Sequence, residues 1–410
     1  MTALLVGFVL ETAADRLNLR ALDPKLPEEF AGVYDAEKYA RSQEYTRVRT
    51  RFGLITGIFD LALLLFFWQL GGFNYLDQLV RGWQHGPVVN GLIFTGVLLL
   101  AKTIISLPFS LYSTFVIEER FGFNRTTAAT FVTDLLKGLA LAVVLGGPLL
   151  AAVLWFFDST GSVAWLWCWG AVTVFTLFVQ FIAPTWIMPL FNKFTPLGEG
   201  ELREAIFAFA DSVGFSLQNV FVMDGSKRSS KSNAFFTGFG RNKRIALFDT
   251  LIEKQTVAEL VGVLAHEIGH YKKKHIFQGM AISIVHTGVM LYLLSIFVSH
   301  PGLFAAFQME HSSVYAGMIF FGLLFTPLDM VLSPLMSMLS RYNEFEADRF
   351  AGEKTGRPQS LIDALKKLSV DNLANLTPHP FYVLLHYSHP PLLQRIAALR
   401  AVGGQENIKE

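Results

Sequence analysis

Cysteine and charge are both scarce in this chain of 410 residues. The single cysteine, Cys168, excludes a disulfide framework and a thiolate zinc site, so any metal ligands must be histidines and carboxylates. Charged residues make up 16% of the chain and hydrophobic residues 52%, whereas soluble domains are about a quarter charged. A net charge of +1 without a basic, aromatic-rich patch argues against a nucleic-acid partner. This composition predicts a mainly α-helical integral membrane protein.

Apolar segments predict about seven transmembrane helices. The weakest, Ala3 to Leu10, is followed by charged residues and lacks the basic start and cleavage site of a signal peptide, so it is interpreted as a first membrane helix. The other six approach or exceed the ~20 residues that span a bilayer. They lie at 52–70, 88–115, 131–157, 163–191, 276–298 and 314–339.

Loop charges predict the orientation of these helices. The connections near 71–87, 158–162 and 299–313 contain one basic residue, Arg81, whereas 20–51, 192–274 and the tail after 341 are rich in Lys and Arg. The positive-inside rule therefore places the basic segments in the cytoplasm. The predicted organisation is helices 1–5 within 1–191 with a cytoplasmic loop at 20–51, an insertion at 192–275, helices 6 and 7 within 276–340, and a C-terminal part at 341–410.

The two cytoplasmic segments are expected to fold together around a metal as a split protease domain. In the insertion, a helix is predicted at 199–213 and strands at 220–223 and 244–248, and the domain is expected to contain a small β-hairpin. Ionisable residues within membrane spans are costly and normally face a partner or a wet cavity, although here they can also mark misplaced span ends. They are Asp60, Lys102, Asp134, Lys137, His286 and Asp329.

The chemistry is indicated by His266-Glu267-Ile-Gly-His270, an H-E-x-x-H motif in a helical pattern. Residues i and i+4 share a helix face, so both imidazoles can reach one zinc ion while Glu267 lies beside an open coordination position. A surface helix with two incidental histidines is the alternative. A helix continuing to Ile276 would place the zinc about 9 Å from the next membrane span.

The third ligand is predicted in Arg341-Tyr-Asn-Glu-Phe-Glu-Ala-Asp348. Glu344 and Asp348 are i,i+4, so one can bind zinc while the other accepts a hydrogen bond from a ligating imidazole. Glu346 points elsewhere and is the weaker candidate. The alternative is a solvated acidic face that pairs with nearby arginines. His275, His379 and His386 are assigned to the surface or to packing.

Seven motifs in order along the chain resemble the type I CAAX prenyl endopeptidases, integral-membrane zinc proteases that trim prenylated C-termini. The resemblance implies a barrel of seven membrane helices around a hydrated chamber, one Zn²⁺ bound by His266, His270 and Glu344, and Glu267 as the catalytic base. The motifs are Phe121-Gly-Phe-Asn124, Pro189-Leu-Phe-Asn-Lys193, Ser232-Asn-Ala-Phe-Phe-Thr-Gly-Phe239, Asn242-Lys-Arg-Ile-Ala-Leu-Phe-Asp249, His266-Glu-Ile-Gly-His270, Asn343-Glu-Phe-Glu-Ala-Asp348 and Ser388-His-Pro-Pro-Leu392.

The same resemblance extends the site. Asn233 and Ala234 are similar to the edge strand that binds substrate peptides in thermolysin-like proteases; an Asn in a hairpin turn is the alternative. The family pattern brings His389 near the metal, where it could donate a hydrogen bond to the oxyanion, or it could cap the helix starting at Pro391. Arg395 would orient a site carboxylate.

We therefore expect a zinc endopeptidase that cleaves a peptide or protein substrate, lipidated or membrane-embedded, at the cytoplasmic surface among membrane lipids. A quality-control protease without prenyl specificity, a site-2-type protease using Asp329, and a transporter or scaffold with structural zinc are the alternatives. The short 299–313 loop and abbreviated N-terminus favour the bacterial inner membrane over the endoplasmic reticulum.

Overall fold

A computed structural model describes residues 1–217, 219–237 and 244–406. Four residues of the predicted motifs, Gly238, Phe239, Asn242 and Lys243, lie outside these ranges. The described chain is mainly helical, as predicted. Its helices are α1 (Thr2–Arg20), α2 (Ala36–Gln69), α3 (Gly72–Arg81), α4 (Pro87–Glu118), α5 (Ala128–Ser159), α6 (Gly161–Phe191), α7 (Glu201–Ser212), α8 (Asp249–Ile252), α9 (Val257–Lys272), α10 (His275–Phe297), α11 (Pro301–Ala306), α12 (Val314–Thr355), α13 (Pro358–Asp371), α14 (Pro380–His386) and α15 (Leu392–Glu406).

Six helices in the described ranges are long and apolar enough to cross a membrane: α2, α4, α5, α6, α10 and α12. They correspond to the six strong apolar segments of the sequence. Helix α1 is not among them, because Glu11, Asp15 and Arg16 fall within its 19 residues. It packs against α12 and α14, and its predicted crossing stays a prediction.

Two helices run past the apolar segments from which their spans were predicted. Helix α2 begins at Ala36, inside the predicted loop 20–51, since the Asp35 carboxylate caps it by accepting from the Lys38 N–H at 2.6 Å. Helix α12 continues through the predicted 340/341 boundary to Gly356, a left-handed glycine that ends it. The last apolar span and the segment bearing Glu344 therefore form one continuous helix.

Four of the six ionisable residues predicted within a membrane span have a hydrogen-bonded or ion-paired partner, as expected for costly intramembrane groups, and the other two, His286 and Asp329, face each other beyond hydrogen-bond distance. The pairs link different helices or link a helix to the insertion. They are Asp60 with Lys102, Asp134 with Arg228 at 2.7 Å, Lys137 with the Leu190 carbonyl at 2.6 Å, and His286 with Asp329 at 3.8 Å.

The insertion contains a mixed four-stranded sheet of β1 (Phe194–Pro196), β2 (Val220–Met223), β3 (Ala234–Thr237) and β4 (Arg244–Phe248), in the order β1-β2-β4-β3. Both predicted strands, β2 and β4, are confirmed, and they pair in parallel. The sheet is larger than the predicted hairpin, because it also contains β1, a strand of three residues that was not predicted. Strand β1 ends in a proline, which cannot donate to a strand on both sides and therefore suits a sheet edge.

The insertion and the C-terminal tail share one hydrophobic core, which confirms a split domain. Leu247 of β4 and Leu264 of α9 are buried in it together with Leu361 of α13 and Leu399 of α15. A third segment also contributes, because Phe30 from the polar stretch before α2 is fully buried in the same core. The predicted protease domain is therefore assembled from three parts of the chain.

Candidate active site

Helix α9 carries the H-E-x-x-H motif and begins with a capping box. The Thr256 hydroxyl accepts from the Glu259 N–H at 3.4 Å, and the Glu259 carboxylate accepts from the Thr256 N–H at 2.7 Å. Three turns later α9 crosses α12 at Gly269, where an added Cβ would lie 3.1 Å from the Ala347 Cα. Glycine thus permits the close approach that brings the motif to Glu344.

His266, His270 and Glu344 converge on one point, with their ligand atoms within 4.8 Å of one another. The two Nε2 atoms are 3.1 Å apart. The Glu344 carboxylate lies 3.5 Å from the His266 Nε2 and 3.2 Å from the His270 Nε2. The structure therefore brings together the three residues predicted as ligands.

These side chains fit a zinc ion. Tetrahedral bonds of about 2.0–2.1 Å place ligand atoms about 3.3–3.4 Å apart, close to the three separations observed. The Glu344 side chain is buried, and its Oε2 accepts no hydrogen bond from any residue that the structure describes. A buried carboxylate oxygen without a hydrogen bond is costly. The Arg395 Nη1 lies 3.5 Å from this oxygen, and a cation between the three groups would bind it directly.

Asp348 and Arg395 surround the first ligand. The Asp348 Oδ1 lies 2.8 Å from the His266 Nδ1, and Arg395 donates to both Asp348 oxygens at 2.8 and 2.7 Å. Burial disfavours a charged His266 imidazole, but hydrogen bonds with Asp348 and Glu344 outweigh it and raise the pKa of His266 to about 9. The pocket thus attracts positive charge, and Asp348 directs the His266 Nε2 toward the metal position.

Glu267 is half-buried and lines a cavity of about 390 Å³ beside the ligands. His270 and Phe236 of β3 line the same cavity, and the remaining wall comes from apolar and polar residues of α10 and α12. The carboxylate predicted as the base therefore faces a space shared by a metal ligand and the edge strand.

His389 also reaches the site. Its Nε2 lies 3.4 Å from the Glu344 Oε1, and its Nδ1 lies 3.0 Å from the Ser388 hydroxyl. The ring is 65% exposed, unlike the ligands. If the Ser388 hydroxyl donates to Nδ1, the Nε2 keeps its proton and can donate toward the metal position.

Strand β3 lies at an edge of the sheet, next to α9. The Phe248 N–H donates to the Asn233 carbonyl at 3.0 Å, so 233 and 248 form a hydrogen-bonded antiparallel pair. Because such pairs alternate, the backbone groups of Ala234 and Phe236 point away from β4, toward the open edge. Asn372 holds the entry to this strand by two hydrogen bonds of 3.1 Å with the Ser232 backbone.

One pair of residues at the site, His275 and Glu346, was not predicted from the sequence. His275, assigned to the surface or packing, is buried with its Nδ1 3.1 Å from the His270 Nδ1, and Glu346 contacts its other nitrogen. On the predicted continuous helix, residues 270 and 275 would diverge by about 140°. That prediction was wrong: α9 ends at Lys272, and Lys274 adopts a left-handed conformation with φ 62°.

Comparisons with known proteins agree with this geometry. Residues 15–193 match the family model of the CAAX prenyl protease N-terminal region with five membrane helices, and residues 196–402 match peptidase family M48. CAAX prenyl protease 1 of Saccharomyces cerevisiae is 38% identical, with 92% of this chain and 89% of that protein covered. The chain belongs to the CAAX prenyl protease 1 family. The Arabidopsis thaliana homologue is also 38% identical, over 98% and 96% of the two chains.

The family resemblance drawn from the motifs is therefore confirmed, and the protein is a membrane zinc metalloprotease of the CAAX prenyl protease 1 type. The crystal structure of S. mikatae Ste24p superposes with a TM-score of 0.90 at 36% identity, covering 97% of both chains. The site-2-type and transporter alternatives are wrong. Relatives named here are eukaryotic, so they give the predicted bacterial origin no support.

Proposed function

We propose that this CAAX prenyl protease 1 relative cleaves prenylated protein substrates with one zinc ion per chain, held by His266, His270 and Glu344 at the cytoplasmic face of the membrane. The observation that carries the proposal is the convergence of three ligand atoms beside Glu267 and an open strand edge. The basic loops favour the cytoplasmic face.

His266, His270 and Glu344 would hold the zinc ion, which would supply Lewis acidity to a water molecule and to the scissile carbonyl. Glu267 takes the proton of the attacking water and delivers it to the leaving amine as the C–N bond breaks. His389 donates from its Nε2 to the developing oxyanion. Asp348 fixes the tautomer of His266, and Arg395 holds Asp348 through its paired hydrogen bonds.

The substrate backbone pairs with the outer edge of β3. Ala234 offers its outward C=O, and Phe236 its outward N–H and C=O, to an extended peptide, which gives affinity without demanding a particular sequence. Asn233 stabilises the start of this edge by accepting from the Ala234 N–H at 2.9 Å. The cavity beside Glu267 can receive a substrate side chain next to the bond that is cleaved.

Prenylation is expected to increase cleavage. The purified chain in lipid vesicles is given one peptide in two forms, prenylated or unmodified at a CAAX cysteine, because a lipid tail adds favourable membrane partitioning. Mass spectrometry should show a higher kcat/KM for the prenylated form. Equal rates for both forms would instead favour a membrane quality-control protease without prenyl specificity.

A Phe236→Pro substitution tests the edge strand. Proline removes the outward N–H of residue 236, yet the β3–β4 ladder survives because that N–H does not bond to β4. Loss of one substrate hydrogen bond is worth about 1 kcal/mol, so kcat/KM should fall roughly five- to tenfold below that of Phe236→Leu. Phe236→Leu also lacks the ring but keeps the N–H, and is the control. Equal kinetics for the proline and leucine variants would rule out pairing at this position.

His389→Ala separates the oxyanion role from helix capping. Removal of an oxyanion donor lowers kcat by about 10²–10³-fold with little change in KM, because the bond forms only in the transition state. A residue that merely caps a helix would change the thermal midpoint and leave kcat nearly intact. Steady-state kinetics and thermal unfolding of the same sample distinguish the two roles.

A further inference from the structure

His275 links a predicted zinc ligand to a carboxylate on another helix. It is the first residue of α10, and its side chain is 6% exposed. Its Nδ1 lies 3.1 Å from the His270 Nδ1, and its Nε2 lies 3.3 Å from the Glu346 Oε2. The three groups therefore form a row that leads from the site to α12.

The proton positions in this row follow from the ligand. A neutral imidazole that binds a metal through Nε2 carries its proton on Nδ1. The His270 Nδ1–H must then donate to the His275 Nδ1, which leaves the His275 proton on Nε2, where it donates to Glu346. Each nitrogen has one role, and no nitrogen is left facing another donor.

From this arrangement we infer that His275 and Glu346 are positioning residues that fix the ring orientation and tautomer of His270; the inference rests on the proposed zinc site. Ligating histidines commonly donate their second N–H to a carboxylate. For His266 that carboxylate is Asp348, in direct contact at 2.8 Å. For His270 it is Glu346, acting through the inserted His275 imidazole.

The course of the backbone explains why His270 reaches its carboxylate through an imidazole. The left-handed turn at Lys274 ends α9 and folds the start of α10 back toward His270. Glu346 lies two residues beyond Glu344 on α12, and hence about 200° around the helix. It cannot face the metal position, but His275 fills the space between Glu346 and His270. The first turn of a membrane helix thereby becomes part of the metal site.

His270 needs such support more than His266 does. Its side chain is 20% exposed against 9% for His266, and it lines the cavity beside Glu267. Without an acceptor on Nδ1, the ring can rotate toward that cavity or adopt the other tautomer, and either change withdraws the Nε2 lone pair from the metal.

Two nearly isosteric substitutions test this role. His275→Leu removes the acceptor, whereas in His275→Asn the Oδ1 occupies the place of the imidazole Nδ1 and can still accept. Zinc affinity is measured by chelator competition on the purified full-length chain. We expect His275→Leu to weaken zinc binding by about 10–100-fold, as for other outer partners of metal ligands, and His275→Asn to recover most of the loss.

Cobalt substitution gives a second readout. The visible d–d bands of bound Co²⁺ should shift in His275→Leu and return toward the wild-type positions in His275→Asn, because the bands report ligand geometry directly. Glu346→Leu should weaken zinc binding in the same direction. Glu353→Leu, an exposed residue two turns further along α12, is the matched control and should leave zinc affinity unchanged.

Equal zinc affinities and identical cobalt spectra for His275→Leu and His275→Asn would overturn the inference, since a packing residue would not distinguish the two side chains. If His275→Leu fails to fold, the comparison of Glu346→Leu with Glu353→Leu decides, and equal affinities there also overturn it. Failure of the wild-type chain to bind zinc would instead contradict the proposed function.

Discussion

The Glu267→Gln variant is expected to lose peptide hydrolysis by about 10²–10⁴-fold while it keeps its zinc. Glutamine has nearly the shape of glutamate but cannot take a proton from the attacking water. Glu267 lines the cavity beside the ligands and is not one of the three converging groups, so the metal site should be unaffected. Single-turnover cleavage of the prenylated peptide and elemental analysis of the same preparation measure the two effects.

A matched control is Glu253→Gln, which makes the same exchange at an exposed residue just before α9. It should hydrolyse the peptide at the wild-type rate. Substantial hydrolysis by Glu267→Gln would show that Glu267 is not the catalytic base. Loss of zinc from that variant would show that Glu267 is a zinc ligand instead of a base.

The Glu344→Gln variant is expected to lose both zinc and hydrolysis. The substitution removes the only anionic group among the three converging ligands. We expect zinc affinity to fall by more than the ~10–100-fold that outer partners typically contribute. Equilibrium dialysis followed by elemental analysis measures the change, and kcat should fall in proportion to zinc occupancy.

Excess zinc provides an internal check on this variant. If the defect is in metal binding, high zinc concentrations should restore part of the hydrolysis. Zinc retention at wild-type affinity would show that the ligand is a different group. Asp348→Asn is a useful comparison, because Asp348 contacts His266 on the side away from the metal and should weaken binding less.

The parts of the fold that follow from local pattern were predictable. Six long apolar segments became six helices able to span a membrane, because burial of such segments in lipid depends on length and composition alone. The helix ends were less predictable. Helix α12 passes the predicted boundary because its helical spacing continues to Gly356. The end of an apolar segment shows where a membrane span ends, but it does not show whether the helix continues beyond the membrane.

The site residues also fall into a group that the sequence pattern predicted and a group that it did not. Spacing identified His266 and His270, and i,i+4 spacing singled out Glu344 and Asp348 as partners, while the choice of Glu344 as the ligand came from the family resemblance. The same resemblance pointed to His389 and Arg395, which approach Glu344 and Asp348 in the fold. No local pattern relates these segments, because only tertiary packing brings them together.

His275 shows most clearly which part of the site could not be predicted from the sequence. A five-residue spacing from His270 carries no helical signal, and the link depends on one lysine in the left-handed region, which non-glycine residues seldom adopt. Its partner Glu346 was set aside because it cannot share a face with Glu344. Glu346 does point away from the metal position, but the His275 imidazole lies between it and His270.

The most direct test is anomalous X-ray diffraction from crystals of the full-length protein, with data collected on both sides of the zinc absorption edge. We predict one anomalous peak per chain, about 2 Å from the Nε2 atoms of His266 and His270 and from the Glu344 carboxylate. A peak bound by other residues, or a fully active preparation that shows no peak between these three side chains, would contradict the account.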